Sequence, residues 1–164
     1  MEVSVVIPNY NGIAFLDSVL ASLEGQTLKN FEVIFVDNGS SDGSCSFVAG
    51  NYPWVHIIEL PENYGFCKAV NEGIKASRAP YVLLLNNDTE VKEDFLEEMV
   101  AAIRRHKRAF SCAARMVQYH DRDRLDDAGN FYNALGWSFA RGKGRDIHTY
   151  EKEEQIFSSC GGAA

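Results

Sequence analysis

Val3-Ser4-Val5-Val6-Ile7-Pro8-Asn9-Tyr10-Asn11-Gly12 decides how the chain is read. A short apolar run stopped by proline reads as a buried strand. The four residues after the proline are informative. A dinucleotide-binding α/β domain carries Gly-x-Gly-x-x-Gly directly after its first strand, because the pyrophosphate must approach bare backbone there. Asn9-Tyr10-Asn11-Gly12 lacks that pattern. The first strand therefore opens a different kind of α/β domain.

Strands and helices alternate from that point. Ile13 to Glu24 places Leu16, Val19, Leu20 and Leu23 at helical spacing, and Gly25 can end the helix. Glu32 to Asp37 is a second strand. Asn38-Gly39-Ser40-Ser41-Asp42-Gly43 is a turn-rich loop able to cap a following helix. Val55 to Leu60 is a third strand, and Pro61 to Gly65 a loop. Cys67 to Ser77 is helical, Tyr81 to Leu85 is a fully apolar fourth strand, and Asp94 to His106 is an amphipathic helix. The alternation predicts an α/β fold with a mainly parallel sheet and helices on both faces.

After Ala109 the pattern changes. Ala109 to Tyr119 suits a strand or two, Asp121 to Asp127 a charged surface loop, and Asn130 to Gly144 mixes aromatics and glycines without a period. This divides the chain into residues 1–110, an α/β domain, and residues 111–164, a second region.

Bulk properties bound the function. The 164 residues are 46% hydrophobic and 12% aromatic, which fits a folded domain with its own core. A formal net charge of −7 argues against an extended nucleic-acid contact, but local phosphate sites remain open. Cys45, Cys67, Cys112 and Cys160 are scattered without a Cys-x-x-Cys pair, so reduced thiols are expected. Apolar runs are strand-length, far below the roughly 20 residues of a spanning helix. The first residues carry no basic stretch or small-residue cleavage site, which predicts a cytoplasmic protein. Association with the inner face of the membrane through a partner stays open.

In open parallel sheets ligands bind beyond the carboxyl ends of the strands. Four polar clusters fall there: Pro8 to Gly12, Asp37-Asn38-Gly39, Glu62-Asn63-Tyr64-Gly65-Phe66 and Asn86-Asn87-Asp88. A carboxylate such as Asp88 at a strand end suits a magnesium or manganese ion shared with substrate phosphates. Its alternative role is to cap a helix following Asp88-Thr89-Glu90. Asp37 can accept from a ribose or base N–H, or merely bond its own turn. Tyr10 can stack on a nucleobase or lie in the core. Lys68 can meet a diphosphate or stay in solvent. The four histidines show no partner pattern.

These motifs, Val5 to Asn11, Val36 to Gly43, Asn63-Tyr64-Gly65-Phe66 with Asn71-Glu72-Gly73, and Leu83 to Asp88, together resemble glycosyltransferase family 2. Asn86-Asn87-Asp88 is similar to its Asp-x-Asp metal motif in an Asn-x-Asp form found among rhamnosyltransferase-like members. Weaker similarity runs through Asp127-Ala128-Gly129, Gly142-Lys143-Gly144 and Gly161 to Ala164. The resemblance implies a GT-A fold and inverting transfer from a UDP- or dTDP-linked sugar to a glycan or lipid-linked acceptor, in polysaccharide biosynthesis. It assigns nucleotide-sugar binding to Pro8, Tyr10, Asp37, Asn38, Gly65, Lys68, Asn86 and Asn87, and the divalent metal (Mg or Mn) to Asp88.

Two departures qualify it. The first acidic position of the metal motif is Asn86, so Asp88 and the diphosphate carry more of the coordination. No carboxylate here matches the family's general base, which the resemblance places beyond Ala164, so residues 111–164 read as the start of an acceptor-side region in a truncated chain. Two other functions remain: a non-catalytic nucleotide-binding or interaction module, and a nucleotidyltransferase, for which the basic Gly-rich loop after the first strand is missing. An uncovered sheet edge would also allow self-association.

Overall fold

The computed structural model describes residues 1–159 and 162–164. Cys160 and Gly161 lie outside the described residues, and with them part of the Gly161 to Ala164 similarity. The chain forms two compact units, Met1–Ala101 and Ala102–Ala164.

The first unit contains β1 (Val3–Asn9), α1 (Ile13–Glu24), β2 (Phe31–Asp37), α2 (Ser44–Asn51), β3 (His56–Glu59), α3 (Phe66–Ala76) and β4 (Tyr81–Leu84). The division falls within α4 (Phe95–Arg105). The four strands form one parallel sheet in the order β3-β2-β1-β4. Every residue of β1 is buried. Successive side chains of a strand point to opposite faces, so unbroken burial means that both faces are covered.

α3 covers one face. Val6, Ile34 and Val36 pack there with Ala69. A Cβ on Gly73 would overlap Val6 and sit 3.1 Å from Val36 Cγ2, so its bare Cα is what lets α3 approach the sheet. Val5, Ile7, Val33 and Phe35 point the other way and are equally buried. α1 contributes a full stripe, Leu16, Val19, Leu20 and Leu23, all at 0% exposure. Burying each such side chain is worth about 1.5–3 kcal/mol.

The strand order reverses at β1. The chain steps outward from β1 to β2 to β3, and α3 then carries it back to β4 on the far side of β1. Right-handed crossovers place α1 and α2 on one face and α3 on the other. Pro8 marks the same place. Val6 turns its carbonyl toward β4 and accepts from Leu85 N–H at 3.0 Å. Two residues later Pro8 faces the same side with no N–H to donate, and β4 pairing has already ended at Val6–Leu84. The two strands part there.

The connection from β4 to α4 is secured by a fully buried amide. Gln26 Nε2 donates to the Ser22 and Lys92 carbonyls at 3.0 and 2.7 Å, and its Oε1 accepts from Leu96 N–H at 2.9 Å. Gln26 thereby satisfies one of the N–H groups that a helix start leaves open.

The second unit is built differently. β5 (Met116–Val117) pairs antiparallel with β6 (Leu125–Asp127), and β7 (Asn130–Tyr132) pairs with β8 (Ser138–Ala140) in a hairpin. A 3₁₀ turn, Ile147–Tyr150, comes next. The expected loop Asp121 to Asp127 thus contains a strand, whose Leu125 is buried, and the aperiodic stretch Asn130 to Gly144 contains a hairpin turned at Asn133–Gly136. Ala109 to Tyr119 yields only the two residues of β5.

Candidate functional site

Polar groups at the carboxyl ends of all four strands of the first unit form one hydrogen-bond network, its two side-chain clusters joined by Asn38 N–H donating to the Asn9 carbonyl at 2.8 Å. Asn9, at the end of β1, is its hub and is only 2% exposed. Asn9 Nδ2 donates to Asp37 Oδ1 at 3.0 Å and to Ser40 Oγ at 3.2 Å, and Asn9 Oδ1 accepts from Asn87 Nδ2 at 2.7 Å. Asp37 Oδ2 accepts from Ser40 N–H at 2.8 Å. The next residue extends the network to the loop after β3. Asn38 Nδ2 donates to Asn63 Oδ1 at 2.8 Å, and Asn38 Oδ1 accepts from Tyr64 N–H at 3.0 Å. Ends of strands separated by up to 78 positions in sequence are thereby tied together.

Two local features make the network possible. Gly39 has φ +77°, and a Cβ there would sit 2.7 Å from the Glu62 backbone, so only glycine lets the β2 and β3 loops come this close. Asn11, with φ +50°, locks the β1 and β2 loops together. Its N–H donates to Ser40 Oγ and its side chain accepts from Ser41 N–H, both at 2.9 Å. Asparagine tolerates this left-handed backbone better than most residues.

Asp42 serves two helix starts. Its carboxylate accepts from Ile13 N–H of α1 at 2.9 Å, and from Ser44 N–H and Oγ of α2 at 3.0 and 2.6 Å. Desolvation works to raise its pKa, but these hydrogen bonds outweigh it and hold the carboxyl below the ordinary 3.8. Nearby, burial pushes the Cys45 thiol up to about 12, helped by the Asp37 and Glu59 carboxylates. Cys45 is an inert thiol, not a nucleophile. Cys45, Cys67 and Cys112 form no disulfide.

The residues singled out in the sequence fall on or beside this rim. Pro8 is buried in β1 and shapes the gap beside it. Tyr10 is 51% exposed, which removes the core-tyrosine alternative and leaves a ring face open to solvent. Asp37 and Asn38 are buried, and both side chains take part in these hydrogen bonds. Each carboxylate oxygen has two lone pairs, so Asp37 retains capacity for a further donor. Gly65 starts α3 with φ +85°. Lys68 lies in the first turn of α3 and pairs with Glu72 at 2.7 Å, which raises its pKa. That pair is exposed and therefore weak, so an anion can compete for the ammonium.

Asp88 sits in a turn, and α4 begins only at Phe95, so Asp88 caps no helix. Its carboxylate is exposed and carries no hydrogen bond or ion pair among the described residues. The Asn86 carbonyl accepts from Thr89 Oγ1 at 2.7 Å and closes the turn. Among the described residues there is no group of three His, Cys, Asp or Glu side chains able to cage a metal. One free carboxylate fits instead an ion completed by substrate phosphates and water, the usual mode for magnesium.

Beside the rim lies a cleft of about 520 Å³ lined by Asp37, loop residues between Gly39 and Gly43, the first turn of α2, Glu59, Leu60 and Pro61. Of the expected residues only Asp37 borders it, so the candidate site is the rim itself. Asn9, Ser40, Asn63, Gly12 and Gly39 complete that rim and were not singled out by the sequence. Their only signal is that each lies in a polar cluster ending an apolar strand. No helix among the described residues is long and apolar enough to cross a membrane.

The model for the family Glycosyl transferase family 2 matches residues 4–162. The glycosyltransferase GlyG of Streptococcus pneumoniae is 29% identical over 133 residues, covering 79% of this chain and 42% of GlyG. The crystal structure of S. aureus TarS in complex with UDP-GlcNAc superposes with a TM-score of 0.60 at 28% identity, over 65% of this chain and 32% of that one. Mannosyltransferase PcManGT of Pyrobaculum calidifontis, in complex with GDP-Man and Mn2+, gives a TM-score of 0.57 at 22% identity, over 71% of this chain and 35% of its own. The chain thus spans less than half the length of each of these relatives, and it shares the GT-A fold of glycosyltransferases.

Proposed function

The chain belongs to glycosyl transferase family 2, and from that premise we propose that its first unit binds a nucleotide-diphospho-sugar for transfer, with inversion, to a glycan or lipid-linked hydroxyl. The carrying observation is the hydrogen-bonded joining of four strand ends, with Tyr10 and Asp88 exposed beside it in sequence. TarS is described with UDP-GlcNAc, which supports a uridine-type donor.

In this reading the Tyr10 ring stacks on the base. Asp37 accepts a hydrogen bond from the nucleoside, its direction fixed by Asn9 and Ser40. Lys68 leaves Glu72 for the diphosphate. Asp88 holds a magnesium or manganese ion, with Asn86 beside the donor sugar. Bound there, the ion would neutralise charge growing on the leaving diphosphate. The acceptor oxygen forms the new bond to the anomeric carbon as the carbon–phosphate-oxygen bond breaks. The acceptor proton passes to a base, and the nucleoside diphosphate leaves. No residue described in this chain is assigned as that base.

Calorimetry with UDP and with dTDP, each with and without Mn2+, tests the reading. Wild type is expected to bind tightly only with the metal. Asp88→Ala is expected to lose the metal dependence at unchanged melting temperature, because its carboxylate supports nothing else in the fold. Metal-dependent binding that survives Asp88→Ala would remove Asp88 from the site.

A further inference from the structure

We propose that Asn9 is a positioning residue that couples the two ends of the donor site, locking the loop that carries Asp88 to the carboxylate of Asp37. The inference rests on the donor-binding reading and extends it to a residue that touches neither donor nor metal.

The polarity of the link is forced. A carboxylate only accepts, so Asp37 Oδ1 fixes the Asn9 amide with Nδ2 toward it. The second Nδ2 hydrogen goes to Ser40 Oγ. Asn9 Oδ1 must then face Asn87, which can meet it only with its own Nδ2. Two amides are thus oriented in series by one carboxylate. At 2% exposure Asn9 is shielded from bulk water, so these partners carry its hydrogen bonding. β1 lies between β2 and β4, so the residue at its end is the one interposed between the Asp37 and Asp88 loops.

Gly12 supplies independent support. A Cβ at Gly12 would overlap Asn87 Nδ2 and lie 2.5 Å from Asn9 Oδ1. Its backbone, at φ −108° and ψ 20°, needs no glycine. The missing side chain therefore serves the Asn9–Asn87 hydrogen bond, not the turn. When metal draws the Asp88 loop into one position, the link stiffens Asp37, and a nucleotide held by Asp37 favours the metal-competent loop. Such coupling is reciprocal.

The test measures the ratio of UDP dissociation constants without and with Mn2+, with dTDP in parallel, together with melting temperature. Wild type is expected to show tightening of about tenfold or more. Asn9→Ala breaks the link directly but opens a buried cavity, so Gly12→Ala is the cleaner variant. Its Cβ meets Asn87 Nδ2 and Asn9 Oδ1 together, wedging apart the two atoms of the bond, and should reduce the tightening to about threefold or less. Gly12→Ala combined with Asn87→Ala should lose no more than Asn87→Ala alone, since both break the same bond. Unchanged tightening in Gly12→Ala, or additive losses in the double variant, would overturn the coupling while leaving the donor site intact. Wild type that binds neither nucleotide with Mn2+ would overturn the donor reading and the coupling with it.

Discussion

The two units of the chain achieve order by opposite means. The first carries five basic and fifteen acidic side chains, the second eleven basic and eight acidic, so the net charge of −7 is a sum of −10 and +3. In the first, the central strands β1 and β2 bury every apolar side chain but Phe31, the edge strands β3 and β4 leave most of theirs partly exposed, and polar groups interlock over the strand ends. In the second, Leu125, Ala128 and Ala163 are the buried apolar residues among those described, while Leu135 and Trp137 stand 82% and 70% exposed on the β7–β8 hairpin. The first unit is organised by long-range packing and the second by local turns and exposed ion pairs, such as Arg105 with Glu153. Substitutions should therefore act through burial in one and through local backbone strain in the other.

Each unit holds one tryptophan, Trp54 in the first and Trp137 in the second, so Trp137→Phe and Trp54→Phe backgrounds let fluorescence track each unit separately. The largest contrast is expected between two glycines. Gly73→Val would drive a branched side chain into Val6 and Val36 and should cost about 3 kcal/mol in urea unfolding of the first unit. Gly136→Ala, at φ +84° with no atom within 4 Å of its new Cβ, should cost about 1 kcal/mol, from backbone strain alone. Equal costs would abolish the contrast between burial and strain.

A smaller effect is expected from acid. The folded-state pKa of Asp42 is depressed, so its contribution is complete above the ordinary value of 3.8 and is lost as pH falls through the lower folded-state value. Asp42→Asn should flatten the acid limb of stability in the first unit and leave the Trp137 signal unchanged. The smallest effect is chemical. With a thiol pKa of about 12, Cys45 should resist iodoacetamide at pH 8 long after the exposed Cys67 is alkylated, and peptide mass analysis would show the order. Early labelling of Cys45 would mean that the α2 region opens readily.

The same contrast explains what the sequence disclosed. The α1 helix occurs at the expected Ile13 to Glu24, because a stripe at 16, 19, 20 and 23 is a periodic signal and Gly25 ends it. The four parallel strands were legible as apolar runs for the same reason. Tyr81 to Leu85 reads as evenly apolar, yet β4 is a sheet edge among the described residues, with Val82 37% exposed. Composition carries no information about strand order. Neither Asn9 nor Gln26 shows a role of its own in the sequence, because a buried amide has no periodicity; its meaning depends chiefly on partners 28 to 78 positions away. In the second unit, strands of two and three residues are shorter than any window in which alternation can be recognised.

The turn bearing Asp88 is moored at both of its landings: Asn87 is tied to Asn9, while Val91 N–H reaches Ser22 Oγ and the Lys92 and Glu93 carbonyls are taken by Gln26 and Thr27. On either side of Asn87, the side chains of Asn86 and Asp88 support nothing in the fold. Scaffold and chemistry are thus written in different letters of one short segment. Amide and carboxylate are therefore interchangeable at either free position without disturbing the architecture that displays them, and under the proposed donor reading that exchange would retune which hard cation is preferred.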